Sequence, residues 1–128
     1  MDIEIRRKDE ILIAKIIGEI DHHTADEIRR QVDRAIVLPG IRGLIFDLSG
    51  LSFMDTSGIG VMAGRQKNIS RLGGIAAVCG MSRQTKRMLE LTGFAKLFTF
   101  FDGVETAFTQ MKQYFNSERS GNGHAEAN

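Results

Sequence analysis

The sequence predicts a single α/β domain with a mixed, mostly parallel sheet and elements in the order ββαβαβαβα. Its length of 128 residues suits one domain of ordinary size. After two opening strand patterns, helical and strand patterns alternate along the chain, which is typical of parallel strands joined by helices. The polar turn at residues 8–10 is too short for a crossover, so the first two strands are expected to pair antiparallel at the sheet edge.

The composition is that of a soluble globular domain, with 42% hydrophobic and 26% charged residues. The formal net charge is +1, so we expect neither nucleic acid nor a membrane surface as a partner. No apolar run approaches the roughly 18 residues of a membrane span, and the N-terminus has no signal-peptide pattern, so a cytoplasmic protein is expected. The single cysteine, Cys79, excludes an internal disulfide and is predicted to be a buried, inert thiol.

The first elements are two strands and a helix. Polar and apolar residues alternate over residues 3–6, and residues 11–17 are rich in β-branched side chains, so both segments are predicted strands. Residues 18–23 are predicted to form a loop. Thr24 and Glu27 then have the spacing of a capping box, which predicts the start of the first helix.

The remaining chain alternates between strand and helix and then loses its apolar periodicity. The predicted elements are a strand at 44–48, a helix beginning near Ser57, a strand at 75–79, a helix capped by Ser82, a strand at 97–101 and a helix capped by Asp102. From Asn116 onward the residues are Ser, Gly, Asn, Glu, Ala and other mostly polar types. We therefore expect a domain over residues 1–115 and a disordered polar tail over residues 116–128.

The most informative stretch is the helix start around Ser57. Asp55, Thr56 and Ser57 carry short oxygen-bearing side chains that can cap free backbone N–H groups, and two glycines follow closely. A phosphate at such a helix start would meet free N–H donors and the positive end of the helix dipole. Three interpretations of Ser57 stay open on these grounds: a helix cap, a phosphorylation switch and a catalytic nucleophile. Catalysis is the least favoured, because Asp55 stands where the G-x-S-x-G elbow needs glycine.

Other residue patterns carry weaker predictions. Gly58-x-Gly60-x-x-Ala63 formally matches a dinucleotide fingerprint, but roughly nine residues separate it from the predicted end of the strand at Leu48. An α/β nucleotide-binding protein and a plain scaffold module are therefore the alternative functions. His22 and His23 lack a third histidine nearby, which favours a solvated loop pair over a metal site.

Two further groups are predicted to be structural. Asp47, on a predicted strand, could act as a general base, but the sequence offers no partner for it, and a polar residue at a sheet edge is at least as favoured. Arg83, Lys86 and Arg87 share the outer side of the third helix, which is typical of a solvated face.

Two segments together resemble a known family. Residues 53–60, Phe-Met-Asp-Thr-Ser-Gly-Ile-Gly, resemble the phosphorylation-site motif of STAS-domain anti-anti-sigma factors. Residues 18–25, Gly-Glu-Ile-Asp-His-His-Thr-Ala, are similar to the members of that family that act in sporulation. The resemblance covers about residues 3–115 and implies a STAS-like fold. Thr56 is a departure, since the sporulation members tend to have a second serine there.

The resemblance implies a regulatory protein that is not an enzyme and needs no cofactor of its own. In its unmodified form such a protein binds an anti-sigma factor that has serine kinase activity, and so releases the sigma factor for sporulation transcription. The kinase phosphorylates the serine that matches Ser57, which switches the antagonist off. A metal-dependent serine phosphatase restores the active form.

The expected partner-binding residues lie near this switch; they are Asp21, Asp55, Thr56, Ser57, Gly58 and Val61. Asp21 is included because loops at the carboxyl ends of parallel strands meet at one edge of the sheet, which predicts that it lies near Ser57. Val61 is included because it turns away from the apolar stripe of Ile59 and Met62 on the helical wheel, which predicts an exposed side chain.

Overall fold

The computed structural model describes the backbone of residues 1–127 and the side chains of residues 1–118. The elements are β1 (Asp2–Lys8), β2 (Ile11–Ile20), α1 (Ala25–Ile36), β3 (Gly43–Met54), α2 (Thr56–Arg71), β4 (Ile75–Cys79), α3 (Arg83–Leu91), a 3-10 turn (Phe94–Lys96), β5 (Thr99–Phe101) and α4 (Val104–Ala127). The predicted order of strands and helices is confirmed. Across these described residues, no helix is both long enough and apolar enough to cross a bilayer.

The five strands form one sheet in the order β1-β2-β3-β4-β5. β1 pairs antiparallel with β2, as the short turn predicts, and the other three pairings are parallel. Because the parallel strands advance across the sheet in one direction, right-handed crossovers place α1, α2 and α3 on one face. A large core that includes Phe46 and Met62 lies on that face, and a smaller core that includes Ile45 and Met111 lies under α4 on the other.

β2 and β3 are both longer than the sequence predicts, ending at Ile20 and Met54. Two register shifts interrupt their pairing, so that Ile17 lies opposite Gly50 and Glu19 opposite Phe53. Each shift inserts an extra residue in β3, which disrupts the alternation of apolar and polar side chains. The predictions of a loop at residues 18–23 and of a connector after residue 48 are therefore wrong over residues 18–20 and 49–54.

α1 and α2 pack side by side as well as on the sheet. Arg65 of α2 is buried and its Nε lies 2.7 Å from Asp33 Oδ1 of α1, while Asn68 Nδ2 donates to the same oxygen at 3.0 Å. Val61 lies one turn before Arg65, belongs to the large core and is only 2% exposed. The prediction that Val61 is exposed is wrong, because a helix with two packing partners buries more than one stripe.

α4 crosses the opposite face of the sheet. Its Met111 and Phe115 approach Gly43 at the start of β3, where a Cβ would overlap Met111 Sδ. The helix continues past Phe115, although the sequence predicts a disordered tail from residue 116. The Arg42 guanidinium lies 4.6 Å from the Phe115 ring centroid, and its Nη2 lies 2.8 Å from Glu118 Oε2, which stabilises this turn. The side chains of the remaining predicted tail lie outside the described residues.

Candidate functional site

The candidate site is the edge of the sheet where β2 and β3 end side by side. Ile20 and Met54 are paired, and the backbone N–H of Asp55 donates to the carbonyl of Ile20 at 3.2 Å. Asp21 and Asp55 are therefore the first residues beyond two neighbouring parallel strands. This confirms the prediction that Asp21 lies at the same edge as the start of α2, which carries Ser57.

Asp55 caps α2. Its backbone is extended, with φ −95° and ψ −171°, and its Oδ1 accepts a hydrogen bond from the Ser57 N–H at 2.8 Å. Because α2 begins at Thr56, Ser57 is its second residue and not its cap, so the helix-cap interpretation of Ser57 is wrong. Thr56 is exposed and Ser57 is half-buried. The Ser57 hydroxyl makes no hydrogen bond to any of the described residues.

Gly58 and Gly60 have different roles. Gly58 is buried, and a Cβ there would overlap Met54 Cγ and Sδ and lie 3.2 Å from Ile20 Cγ2. Gly58 therefore lets the first turn of α2 sit against the ends of β2 and β3, and its burial argues against the predicted partner contact. Gly60 is exposed and faces open space.

The dinucleotide fingerprint does not form a phosphate-binding loop. β3 ends at Met54, so the long gap that counted against the fingerprint does not exist. However, α2 has already begun when the chain reaches Gly58. A fingerprint glycine must lie in the turn before the helix, where the backbone can approach a pyrophosphate, and neither Gly58 nor Gly60 does.

Asp21 organises the neighbouring loop through an Asx turn. Its Oδ1 accepts the backbone N–H groups of His23 at 2.9 Å and Thr24 at 3.0 Å, and its own N–H donates to Thr24 Oγ1 at 2.9 Å. The bond from the Thr24 N–H is the main reason why the pKa of Asp21 is lowered. Asp21 thus presents an ionised carboxylate at this edge.

The capping box predicted for α1 does not form. Thr24 has helical dihedral angles and its side chain makes no capping bond. Glu27, predicted to reach back to Thr24, accepts instead from Arg30 Nη2 and Gln31 Nε2, both at 2.6 Å. Asp21, instead of Thr24, accepts the backbone N–H groups at the start of α1, since its carbonyl also accepts the Ala25 N–H at 3.0 Å.

The other sequence candidates are exposed loop residues or have structural roles. His22 and His23 are exposed, and no group of three or more potential metal ligands exists among the described residues. Asp47 is 7% exposed and does have a partner, since its Oδ1 accepts the Ser49 N–H at 3.0 Å. Cys79 is buried as predicted, and burial, with a smaller effect of Asp47, raises the pKa of its thiol to about 12.

Phe53 is an exposed residue that the sequence analysis did not predict as a binding residue. It was named only as the first residue of the 53–60 motif. The structure leaves this aromatic side chain 52% exposed, directly before the buried Met54. Strand alternation contains the signal, because a buried Met54 places its neighbour Phe53 on the opposite face. The bulges in β3 concealed that alternation.

Comparison with known proteins identifies the family. Residues 2–107 match the model of the STAS domain. The chain is a member of the STAS-domain family. One relative is the anti-sigma F factor antagonist of Paenibacillus polymyxa, 37% identical over 112 residues that cover 88% of this chain and 96% of the relative. Another is the anti-sigma F factor antagonist of Lysinibacillus sphaericus, 31% identical over 66% of this chain and 72% of that protein.

Solved structures confirm the STAS fold. The anti-sigma factor antagonist SpoIIAA in its unphosphorylated form matches with a TM-score of 0.70 at 22% identity, covering 88% of this chain and 98% of that chain. The phosphorylated form of SpoIIAA from Bacillus matches with a TM-score of 0.69 at 24% identity, covering 85% and 97%. A putative antagonist from Thermotoga maritima matches with a TM-score of 0.79 at 21% identity, covering 86% and 94%.

Proposed function

We propose that this STAS domain is an anti-sigma factor antagonist that is switched off by phosphorylation of Ser57. In this proposal the unmodified protein binds an anti-sigma factor with serine kinase activity and thereby releases a sigma factor, in the regulation of sporulation. The observation that carries the proposal is the Ser57 hydroxyl at the second position of α2, next to the Asp55 cap and without a hydrogen bond to any described residue. The 37% identity to an anti-sigma F factor antagonist supports the choice of partner.

The geometry supports a switch that acts at the surface without unfolding the domain. A phosphate on Ser57 adds a charge of about −1.5 to −2 at the start of α2, where the positive end of the helix dipole favours an anion. A partner surface that fits a neutral hydroxyl would have to desolvate this dianion, which is costly without a paired cation. Asp21, Asp55 and Thr56 flank Ser57 and complete the proposed contact surface.

We propose that this STAS domain is a substrate and ligand and not an enzyme. A catalytic serine needs a nearby base to take its hydroxyl proton. Asp55 is not placed as that base, because its Oδ1 accepts the Ser57 backbone N–H and caps α2. ATP would belong to the kinase and the metal ion to the serine phosphatase that reverses the modification. The proposed anti-sigma factor partner controls transcription, so we place the protein in the cytoplasm.

The experiment that tests the function incubates the protein with its cognate anti-sigma factor and ATP. Tandem mass spectrometry should find the phosphate on Ser57 and not on Thr56 or Ser52. Ser57→Ala should bind the anti-sigma factor even with ATP present, because it cannot be modified, whereas Ser57→Asp should bind poorly. Ser52→Ala, at an exposed hydroxyl of β3 outside the proposed contact surface, is the matched control and should still be phosphorylated. A phosphate on Thr56, or equal binding by the Ala and Asp variants, would overturn the proposal.

A further inference from the structure

The sheet has a face that α4 leaves uncovered, close to the candidate site. β4 ends at Cys79, which pairs with Asp47, while β3 continues to Met54 beside β2. Among the described residues, the core under α4 includes no residue of β2 after Ile13 and none of β3 after Ile45. The last parts of β2 and β3, together with the start of β1, therefore form a ribbon that extends beyond the helix.

Strand pairing identifies the side chains on the uncovered side of this ribbon. Ile20 and Met54 belong to the core under α1 and α2, so their strand neighbours Glu19 and Phe53 point the other way. Ile17 shares their side, since it lies two residues before Glu19. We call this side the ribbon face. Its members are Asp2, Glu4, Lys15, Ile17, Glu19 and Phe53.

The ribbon face has an apolar centre and an acidic border. Phe53 is half exposed and Ile17 is half-buried, which makes a small apolar patch. Asp2, Glu4 and Glu19 are exposed around it. Among the six members of the face, Lys15 is the single cation, and it lies opposite Glu4. These six side chains together thus carry a net negative charge.

The ribbon face is continuous with the candidate site. Glu19 and Phe53 are a cross-strand pair, and the next pair along the ribbon is Ile20 and Met54. Asp21 and Asp55 follow directly. Phe53 is therefore two residues from the α2 cap, and one partner can touch both surfaces by wrapping over the end of the ribbon.

We propose that the ribbon face is a second part of the anti-sigma factor docking surface, and that it receives a cationic segment carrying an apolar side chain. This inference rests on the proposed function. The chemistry of the occupant follows from the face: an exposed aromatic ring beside a binding site is a frequent energetic anchor, and the carboxylates around it select for Lys or Arg. The face lies outside the phosphorylated edge, so it gives affinity and specificity and leaves the switch to Ser57.

The test measures the Kd for the purified cognate anti-sigma factor at low and high salt. Phe53→Ser should raise the Kd by about tenfold or more. The double variant Glu4→Lys/Glu19→Lys should also bind more weakly, associate more slowly and lose salt dependence. The matched controls lie on α3: Leu91→Ser, at a side chain that is 76% exposed, and Glu90→Lys, at an exposed carboxylate. Both controls should bind like the wild type.

The outcomes separate this inference from the proposed function. If Phe53→Ser melts like the wild type and binds within about twofold of it, or if Leu91→Ser weakens binding equally, the ribbon face is not the docking surface. The function then still stands, provided that the Ser57→Ala and Ser57→Asp variants differ. If the wild type does not bind the anti-sigma factor at all, both proposals fail. The double variant Glu4→Lys/Glu19→Lys keeps the test decisive even if Phe53→Ser is poorly folded.

Discussion

At the residue scale, Asp55 caps α2, and Ser57 is the residue for which we propose phosphorylation. Asp55 supplies the capping oxygen at 2.8 Å from the Ser57 N–H, whereas the Ser57 side chain makes no hydrogen bond to any described residue. We expect Asp55→Ala to lower the free energy of unfolding by about 0.5–2 kcal/mol, as for other lost caps. Ser57→Ala should change it by less than about 0.5 kcal/mol. Urea unfolding of both variants tests this, and a larger loss in Ser57→Ala would contradict the assignment of the cap.

Val61 is a core residue one turn after Ser57. Val61→Asp would place a carboxylate in the core between α1, α2 and the sheet, so we expect a loss of several kcal/mol or failure to fold. The matched control is Val37→Asp, because Val37 is 68% exposed at the end of α1. That change should cost less than about 1 kcal/mol. Thermal melts distinguish the two, and a mild effect at Val61 would restore the prediction of an exposed side chain.

At the scale of the element, the two glycines of α2 should respond oppositely to alanine. Gly58→Ala would push a methyl group into Met54, so we expect a loss of about 1–3 kcal/mol from overpacking. Gly60→Ala meets nothing within 4 Å and removes backbone freedom from the unfolded chain, so it should stabilise by about 0.4–1 kcal/mol. Denaturant midpoints measure both. Equal signs for the two variants would show that the first turn of α2 packs differently.

At the scale of the whole molecule, stability should fall at both ends of the pH range. Hydrogen bonds, chiefly from Thr24, lower the pKa of Asp21 from its ordinary 3.8, so its contribution is present above about pH 4 and is lost as the pH falls. The hydrogen bond to Glu10 raises the pKa of Lys112 above its ordinary 10.5, so that contribution is present below pH 10.5 and is lost as the pH rises through the raised pKa.

Asp21→Asn isolates the acidic part of this profile. Asparagine keeps an oxygen that can accept the His23 and Thr24 N–H groups but does not titrate. Its melting temperature should therefore fall less than that of the wild type between about pH 5 and pH 3. Glu4→Gln, at an exposed carboxylate of β1 that has no hydrogen bond to any described residue, is the control and should follow the wild type. Parallel acid profiles for Asp21→Asn and the wild type would contradict the role of the Asx turn.

Local patterns were sufficient for the number, type and order of the elements. Apolar periodicity and turn residues are short-range signals, and they placed the antiparallel edge, the parallel interior and the start of α2 within a residue or two. The motif around Ser57 is also local, which is why the contiguous residues 53–60 were enough to indicate the family. The meeting of Asp21 and Ser57 at one edge followed from the parallel arrangement alone.

Tertiary packing decided the details that a periodic pattern cannot contain. β3 continues through residues 49–54 because β2 pairs with it across two bulges. The bulges interrupt the alternation of apolar and polar residues by which a strand is recognised in the sequence. Val61 is buried because α1 lies against α2, a contact between segments distant in sequence. Asp55 caps α2, and Asp21 accepts the N–H groups just before α1, because the chain leaves paired strands at Met54 and Ile20. Each outcome depends on a neighbour far along the chain, so only the folded structure determines it.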